Sequence, residues 1–145
     1  MALRRAYFDT SALLKVYIWE EGSGQARRAI REYRWLVSAI GPLEMVSALR
    51  RGRDAGSLTA REVERIERLI QKDRAHWDIV EVDRQILERA EETVRETGLR
   101  TLDAIHMASA RVAQGHARSR MAFVTGDARQ RDACAQLGLN AIWVG

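Results

Sequence analysis

Four acidic residues stand where the sequence passes from an apolar run into a helical one, and carboxylates at such junctions can hold hard cations and activate water. Asp9 ends the run Ala6-Tyr7-Phe8 and directly precedes Thr10 and Ser11. Glu44 follows the run Trp35 to Ile40 by way of the Gly41-Pro42 turn. Asp103 lies in the first turn of a helical segment opening at Thr101, and Asp127 comes just after an apolar run ending at Thr125. Taken singly, Glu44, Asp103 and Asp127 have a plain structural explanation, because an acid in a first helical turn meets unpaired N–H groups and a favourable macrodipole. Asp9 is harder to reduce to that, since a charge at the end of a central apolar strand is expensive to bury alone. Several carboxylates on one edge repel one another, and shared protons or a bound cation relieve the repulsion. An all-oxygen set with no His or Cys ligand selects Mg²⁺ or Mn²⁺ over zinc. Such an ion lowers the pKa of a bound water, orients it in line with a phosphorus and neutralises the leaving oxygen. A phosphodiester suits that site because its oxygens complete the coordination that a few carboxylates leave to water. The hydroxyls of Ser11 and Thr125 are placed to hydrogen-bond the carboxylates or a metal-bound water from outside. A helix cap or turn bond is an equal alternative for both.

These acids must be delivered by alternating short β-like and longer helical segments. Ala6 to Phe8 reads as a strand, followed by helices at about Ser11–Trp19 and Ser23–Tyr33 and a strand at Trp35–Ile40. Pro42 suits the first turn of a helix running to about Arg53. Thr59, with Glu62 three residues on, makes a capping box for a helix striped by Val63, Ile66, Leu69 and Ile70. Ile79–Val82 is a strand, and Asp83 caps a helix ending at Gly98. The helix from Thr101 is expected to stop before Gly115, ahead of a strand at Met121–Thr125, a helix at Asp127–Leu137 closed by Gly138, and a strand at Ala141–Val144. Strands separated by helices imply an α/β fold of three layers, α/β/α, around a mostly parallel sheet. Function in such sheets collects beyond the carboxyl ends of the strands, where Asp9, Glu44 and Asp127 all fall.

The 145 residues suffice for a single domain spanning 1–145 with an adequate core. The lone Cys134 excludes an intramolecular disulfide and fits a reducing compartment as a small core hydrophobe. Met1 to Asp9 contains no signal-peptide hydrophobic stretch and no apolar run reaches the roughly 20 residues of a membrane span, so a cytoplasmic protein with no membrane role is expected. Of 24 basic residues, 22 are arginine, and the net charge of +4 permits a polyanionic partner without requiring one.

The segment Tyr7-Phe8-Asp9-Thr10-Ser11-Ala12-Leu13-Leu14-Lys15 resembles the opening motif of PIN-domain nucleases, in which an aspartate ends the first strand. Pro42 to Leu49, Leu102 to Ala110 and Phe123 to Asp127 resemble their second, third and fourth motifs, carrying Glu44, Asp103 and Asp127 in turn. The order and spacing match over about Arg4 to Val144. The resemblance implies a PIN fold and an Mg²⁺- or Mn²⁺-dependent endoribonuclease centre at Asp9, Glu44, Asp103 and Asp127. Small members of the family are usually VapC-type toxins that inhibit translation. They form homodimers and are held by a cognate antitoxin lying in a groove between the first helices and the helix pair after the second strand. Two other readings stand beside this one: a catalytically idle RNA- or protein-binding module, which retention of all four acids opposes, and an RNA-processing PIN nuclease without an antitoxin. A phosphatase using an aspartyl nucleophile generally has a second acid two residues on, where this chain has Ser11.

Three further groups have readings of their own. Arg50, Arg51 and Arg53, with Arg61, Arg65 and Arg68, form the densest basic region, which either tracks RNA or grips an antitoxin, or else is a solvated face paired with Glu62, Glu64 and Glu67. Tyr17, Trp19, Tyr33 and Trp77 are read as core aromatics, with Tyr17 and Trp19 as candidates for the antitoxin groove. His106 is expected to have a packed structural role, and Asp132, well inside its helix, is expected at the surface.

Overall fold

The computed structural model describes residues 3–117 and 120–145. The elements run β1 (Arg5–Phe8), α1 (Thr10–Tyr17), α2 (Ser23–Glu32), β2 (Arg34–Ser38), α3 (Gly41–Asp54), α4 (Ala60–Asp73), β3 (Asp78–Val80), α5 (Arg84–Thr97), α6 (Thr101–Ala117), β4 (Ala122–Thr125), α7 (Ala128–Leu137) and β5 (Asn140–Trp143). A short 3₁₀ turn, Arg74–His76, precedes β3. The sheet order is β3-β2-β1-β4-β5, and every pairing is parallel. The chain therefore winds outward from β1 to β3, then starts again on the other side of β1 with β4. Phe8 stands level with Val124, so the carboxyl ends of β1 and β4 meet side by side. That reversal is where an open parallel sheet leaves a crevice.

Alternation along the strands sorts the two outer layers. Ala6 and Phe8 of β1, Val37 of β2 and Val124 of β4 pack with Leu13 of α1, Ala26 of α2, Met45 and Leu49 of α3, and Ile66 of α4. The intervening Tyr7, Leu36 and Phe123 face the opposite side, against Met107 and Ala110 of α6 and Cys134 and Leu137 of α7. α5 lies outside α6 and packs Ile86 and Ala90 on Ala104, Ile105 and Ala108. Covering both faces is why the inner strands read as continuous apolar runs with no polar alternation. Cys134 is buried among them, and burial pushes its thiol up to about 12, so it behaves as a core hydrophobe.

The Thr59–Glu62 capping box forms as read, and Gly98 and Gly138 close α5 and α7 in the left-handed conformation. Gly115 does not stop α6, which continues to Ala117. A single glycine inside a helix costs only about 1 kcal/mol, and the fully buried face from Ala104 to Ala110 outweighs that. α1 ends at Tyr17, which leaves Trp19 outside any helix and 70% exposed, its ring under the Arg27 guanidinium at 4.8 Å. Trp19 is therefore not core. Trp77 is buried and Tyr33 half-buried, while buried Tyr17 donates its hydroxyl to Asp73 Oδ2 at 2.6 Å and so ties α1 to α4.

Gly22 precedes α2 with φ +86°, and a Cβ there would run into the Val144 carbonyl beyond β5. Gly22→Ala is expected to cost more than about 3 kcal/mol, from backbone strain together with the clash. Gly24→Ala, two residues on in open space, should be neutral or stabilising by about 0.5 kcal/mol. Urea denaturation of both variants checks the contrast; equal midpoints would contradict it.

Candidate active site

Each of the four acids sits at the amino end of a helix. Asp9 is the N-cap of α1 and accepts the Ser11 N–H at 3.1 Å and the Ser11 hydroxyl at 2.5 Å. Asp127 is the N-cap of α7 and accepts the N–H groups of Arg129 and Gln130 at 2.8 and 3.3 Å. Glu44 and Asp103 occupy the first turns of α3 and α6. Asp9 and Asp127 thus cap their helices through hydrogen bonds, whereas Glu44 and Asp103 stand in first turns without accepting a backbone N–H among the described residues; for all four the positive helix end lowers the cost of gathering the charges. The crevice between β1 and β4 is stitched closed beneath them. The Asp9 N–H donates to the Val124 carbonyl, and the Gly126 N–H donates to the Ser11 hydroxyl, both at 3.0 Å.

Asp9 and Asp103 are brought together by a residue with no acid chemistry of its own. The Nε2 amide of Gln130 donates to Asp9 Oδ1 at 3.1 Å and to Asp103 Oδ1 at 3.0 Å. Its Oε1 accepts the Thr125 hydroxyl at 2.7 Å, and Thr125 Oγ1 in turn accepts the Asp127 N–H at 3.0 Å. Thr125 therefore acts on the carboxylates through this amide. Burial raises the Asp103 carboxyl above its ordinary value, and the charges of Asp127 and Asp9 add to that against the Gln130 hydrogen bond.

Glu44 joins through a second network. Its Oε1 accepts the Thr10 hydroxyl at 2.8 Å and is 2.5 Å from His106 Nε2. His106 is buried in α6 between this carboxylate and Asp9, whose Oδ1 is 3.6 Å away, and its Nδ1 meets the hydroxyl of fully buried Tyr7 at 2.6 Å. In the neutral imidazole the Tyr7 O–H donates to Nδ1 and the Nε2–H donates to Glu44. Burial works against the imidazolium, yet the Glu44 hydrogen bond and the charges of Asp9, Glu44 and Asp103 raise His106 above its ordinary value. For Glu44, burial pushes the carboxyl up, but the His106 hydrogen bond and charge, the Thr10 hydroxyl and the Arg51 guanidinium carry it below the usual range. His106 thus has the packed role expected of it.

The donor set suits a hard divalent ion, because Asp9, Glu44, Asp103 and Asp127 present only oxygen and the one nearby imidazole is engaged. Glu44 Oε2, Asp103 Oδ2 and Asp127 Oδ2 carry no hydrogen bond among the described residues. No three His, Cys, Asp or Glu side chains among those residues yet stand close enough to enclose an ion.

Among Arg50, Arg51 and Arg53, Arg51 is the one whose charge acts on an acid of the site. It shares the Glu44 face of α3, bonds the Ser47 hydroxyl at 2.6 Å and contributes to holding Glu44 ionised. Arg50 is paired with Asp54 at 3.0 Å and exposed Arg53 has no such link to an acid of the site. The expected pairs of Arg61, Arg65 and Arg68 with Glu62, Glu64 and Glu67 do not form among the described residues; Glu62 is spent on the capping box. Asp132 is exposed beside Arg131, with no hydrogen bond to the four acids among the described residues. Thr10, Tyr7 and Gln130 were not singled out by sequence reasoning. Gln130 left one legible signal: it falls on the buried stripe Gln130, Ala133, Cys134, Leu137 of α7, a polar residue at a core position.

A family model described as the PIN domain matches residues 6–136. Ribonuclease VapC46 of Mycobacterium tuberculosis is 35% identical over 138 residues, 94% of this chain and 95% of that protein. In fold, the chain resembles a DNA-bound VapBC from Salmonella typhimurium with a TM-score of 0.68, 13% identity and coverage of 99% and 100% of the two chains. It also resembles a toxin-antitoxin complex from Klebsiella pneumoniae with a TM-score of 0.62, 18% identity and coverage of 84% and 86%.

The His106–Glu44 pair has a pH signature. His106, raised in the folded state, adds stability that is complete below its ordinary 6.5 and is lost as pH rises through the folded value. Glu44, lowered, adds stability that is complete above its ordinary 4.5 and is lost as pH falls through the folded value. The stability gap between the wild type and His106→Leu should therefore be widest between 4.5 and 6.5 and shrink towards alkaline pH. Its maximum should be about 3 kcal/mol, because the variant strands a carboxylate and a buried hydroxyl. Urea titrations at pH 5.5 and 9 measure it; a gap independent of pH would remove the ion-pair assignment.

Proposed function

The chain belongs to the PIN-domain family, and from that premise we propose that residues 1–145 act as a single divalent-metal-dependent endoribonuclease domain, the toxin of a toxin–antitoxin pair, with Asp9, Glu44, Asp103 and Asp127 as its catalytic and metal-binding acids. The observation that carries this reading is the convergence of four acids from four helix amino ends on one edge of the sheet. Mg²⁺ or Mn²⁺, when bound, supplies an activated water and offsets charge at the phosphorus. The protein's own groups do the rest. Asp9 and Asp103 offer carboxylate oxygens at the carboxyl edge of the sheet, Asp9 held by the Ser11 hydroxyl and both bonded by the Gln130 amide. Arg51, exposed on the Glu44 face, meets an RNA phosphate at the rim.

The toxin role draws its support from the 35% identical ribonuclease, matched over nearly the whole length of both chains. Arrest of translation by RNA cleavage in the cytoplasm is the corresponding cellular effect; no helix among the described residues is long and apolar enough to cross a membrane. An antitoxin segment has apolar ground to bind. Trp19, Leu43 and Val46 are exposed, and a groove of about 250 Å³ between α3 and α4 is lined by Pro42, Met45, Val46 and Ile70. Tyr17, engaged with Asp73, is no part of it. For a homodimer, Leu87 and Val94 of α5 and Leu102 of α6 leave a second exposed apolar surface.

Asp9→Asn and Asp103→Asn are each expected to reduce Mg²⁺-dependent cleavage of RNA more than about 100-fold, beyond the loss typical of residues that only orient metal ligands. Circular dichroism should show both folded, and chelation by EDTA should silence the wild type until Mn²⁺ is returned. Cleavage retained by both variants would exclude these acids as the centre. Arg51→Glu should weaken RNA binding about tenfold and lower the salt slope by about 1, while Arg50→Glu, losing only an exposed pair, should change it little. Filter binding at several salt concentrations separates the two, and equal losses would undo the assignment to Arg51.

A further inference from the structure

Gln130 is 1% exposed, uncharged and absent from every motif that points to the acids, yet it touches more of the site than any single acid does. One nitrogen lies within 3.1 Å of Asp9 Oδ1 and 3.0 Å of Asp103 Oδ1. Both acids thus give the same kind of atom, Oδ1, to a single amide nitrogen, which fills the position between those two oxygens. A cation taking those same two oxygens would compete with the amide for their lone pairs. The amide's orientation is dictated by chemistry, because ionised carboxylates accept only donors, and Oε1 is occupied by the Thr125 hydroxyl at 2.7 Å.

Resting on the metal-dependent reading above, we propose that Gln130 is a positioning residue that clamps Asp9 and Asp103 in the cation-free protein and must surrender its two hydrogen bonds before a divalent ion can bridge them. In the cation-free state the clamp stands in for the missing positive charge and keeps the crevice ordered. On loading, the amide withdraws or turns. Thr125 suits a turned amide, because a hydroxyl that now donates to Oε1 can accept from Nε2 instead. Affinity for the ion is thereby reduced by the strength of the clamp, and removing the clamp increases that affinity while weakening the empty protein.

Gln130→Met keeps the side-chain size and removes both donors. Mn²⁺ binding by isothermal titration calorimetry, without RNA, should tighten about tenfold, the equivalent of one charge-assisted hydrogen bond. The melting temperature in EDTA should fall, and saturating Mn²⁺ should raise it more than it raises the wild type. Binding that is unchanged or weaker in Q130M overturns the clamp while leaving the metal site standing. Absence of Mn²⁺ binding by the wild type overturns the metal-dependent reading and the clamp with it. Gln130→Glu keeps the test sharp if Q130M does not fold. Three carboxylates at one point should melt lower than the wild type in EDTA and be rescued by Mn²⁺, and a melting temperature in EDTA at or above that of the wild type overturns the proposal.

Discussion

Mutual repulsion among carboxylates gathered at one sheet edge is the constraint to which the rest of the molecule answers. Asp9 is buried, Glu44, Asp103 and Asp127 are half-buried, and charges so placed are stable only with compensation. The protein supplies it in layers. Four helix amino ends offer N–H groups and positive dipole ends, the hydroxyls of Thr10 and Ser11 donate to Glu44 and Asp9, and His106 holds Glu44 ionised. The Gln130 amide spans Asp9 and Asp103 at the centre, and the N–H groups of Arg129 and Gln130 cap Asp127. Every one of these groups is a donor. A surface so furnished gathers its charges with donors of the protein's own.

The sheet makes this arrangement possible by reversing direction between β1 and β4. Because the two strands end level, the helices that follow them start side by side, and their caps, Asp9 and Asp127, arrive in one crevice. The strand alternation does separate work on the two faces. Phe8 and Val124 anchor the layer carrying α1 and α3, while Tyr7, stacked on Phe123 at 5.2 Å, faces α6 and offers its hydroxyl to His106. A single residue of β1 is thus both core and the far end of the Tyr7–His106–Glu44 chain. Packing and electrostatics cannot be varied independently there.

The charge of the whole chain also divides in space. The acids at the crevice are offset by their own donors. The arginines along α3 and α4 remain exposed, with Arg50 alone of the α3 arginines engaged in an ion pair. The surface around Arg51 is therefore more positive than the net charge of +4 conveys.

How much of this was readable in advance follows from how local each signal is. The Thr59 capping box, the glycine stops at Gly98 and Gly138 and the four acids at helix starts are all determined within a few residues, and each is where the chain alone put it. Gly115 and Trp19 differ because packing or a helix end several residues away overrides local propensity. The partners that make the acids a site were beyond local reach. Gln130 meets Asp9 across 121 positions and Tyr7 meets His106 across 99, so no spacing rule connects them. Sequence by itself determined which residue types carry charge and at which helix starts they stand. Only the tertiary structure decided which donors face them, because hydrogen bonding and burial depend on distances that the sheet order sets and the chain order does not.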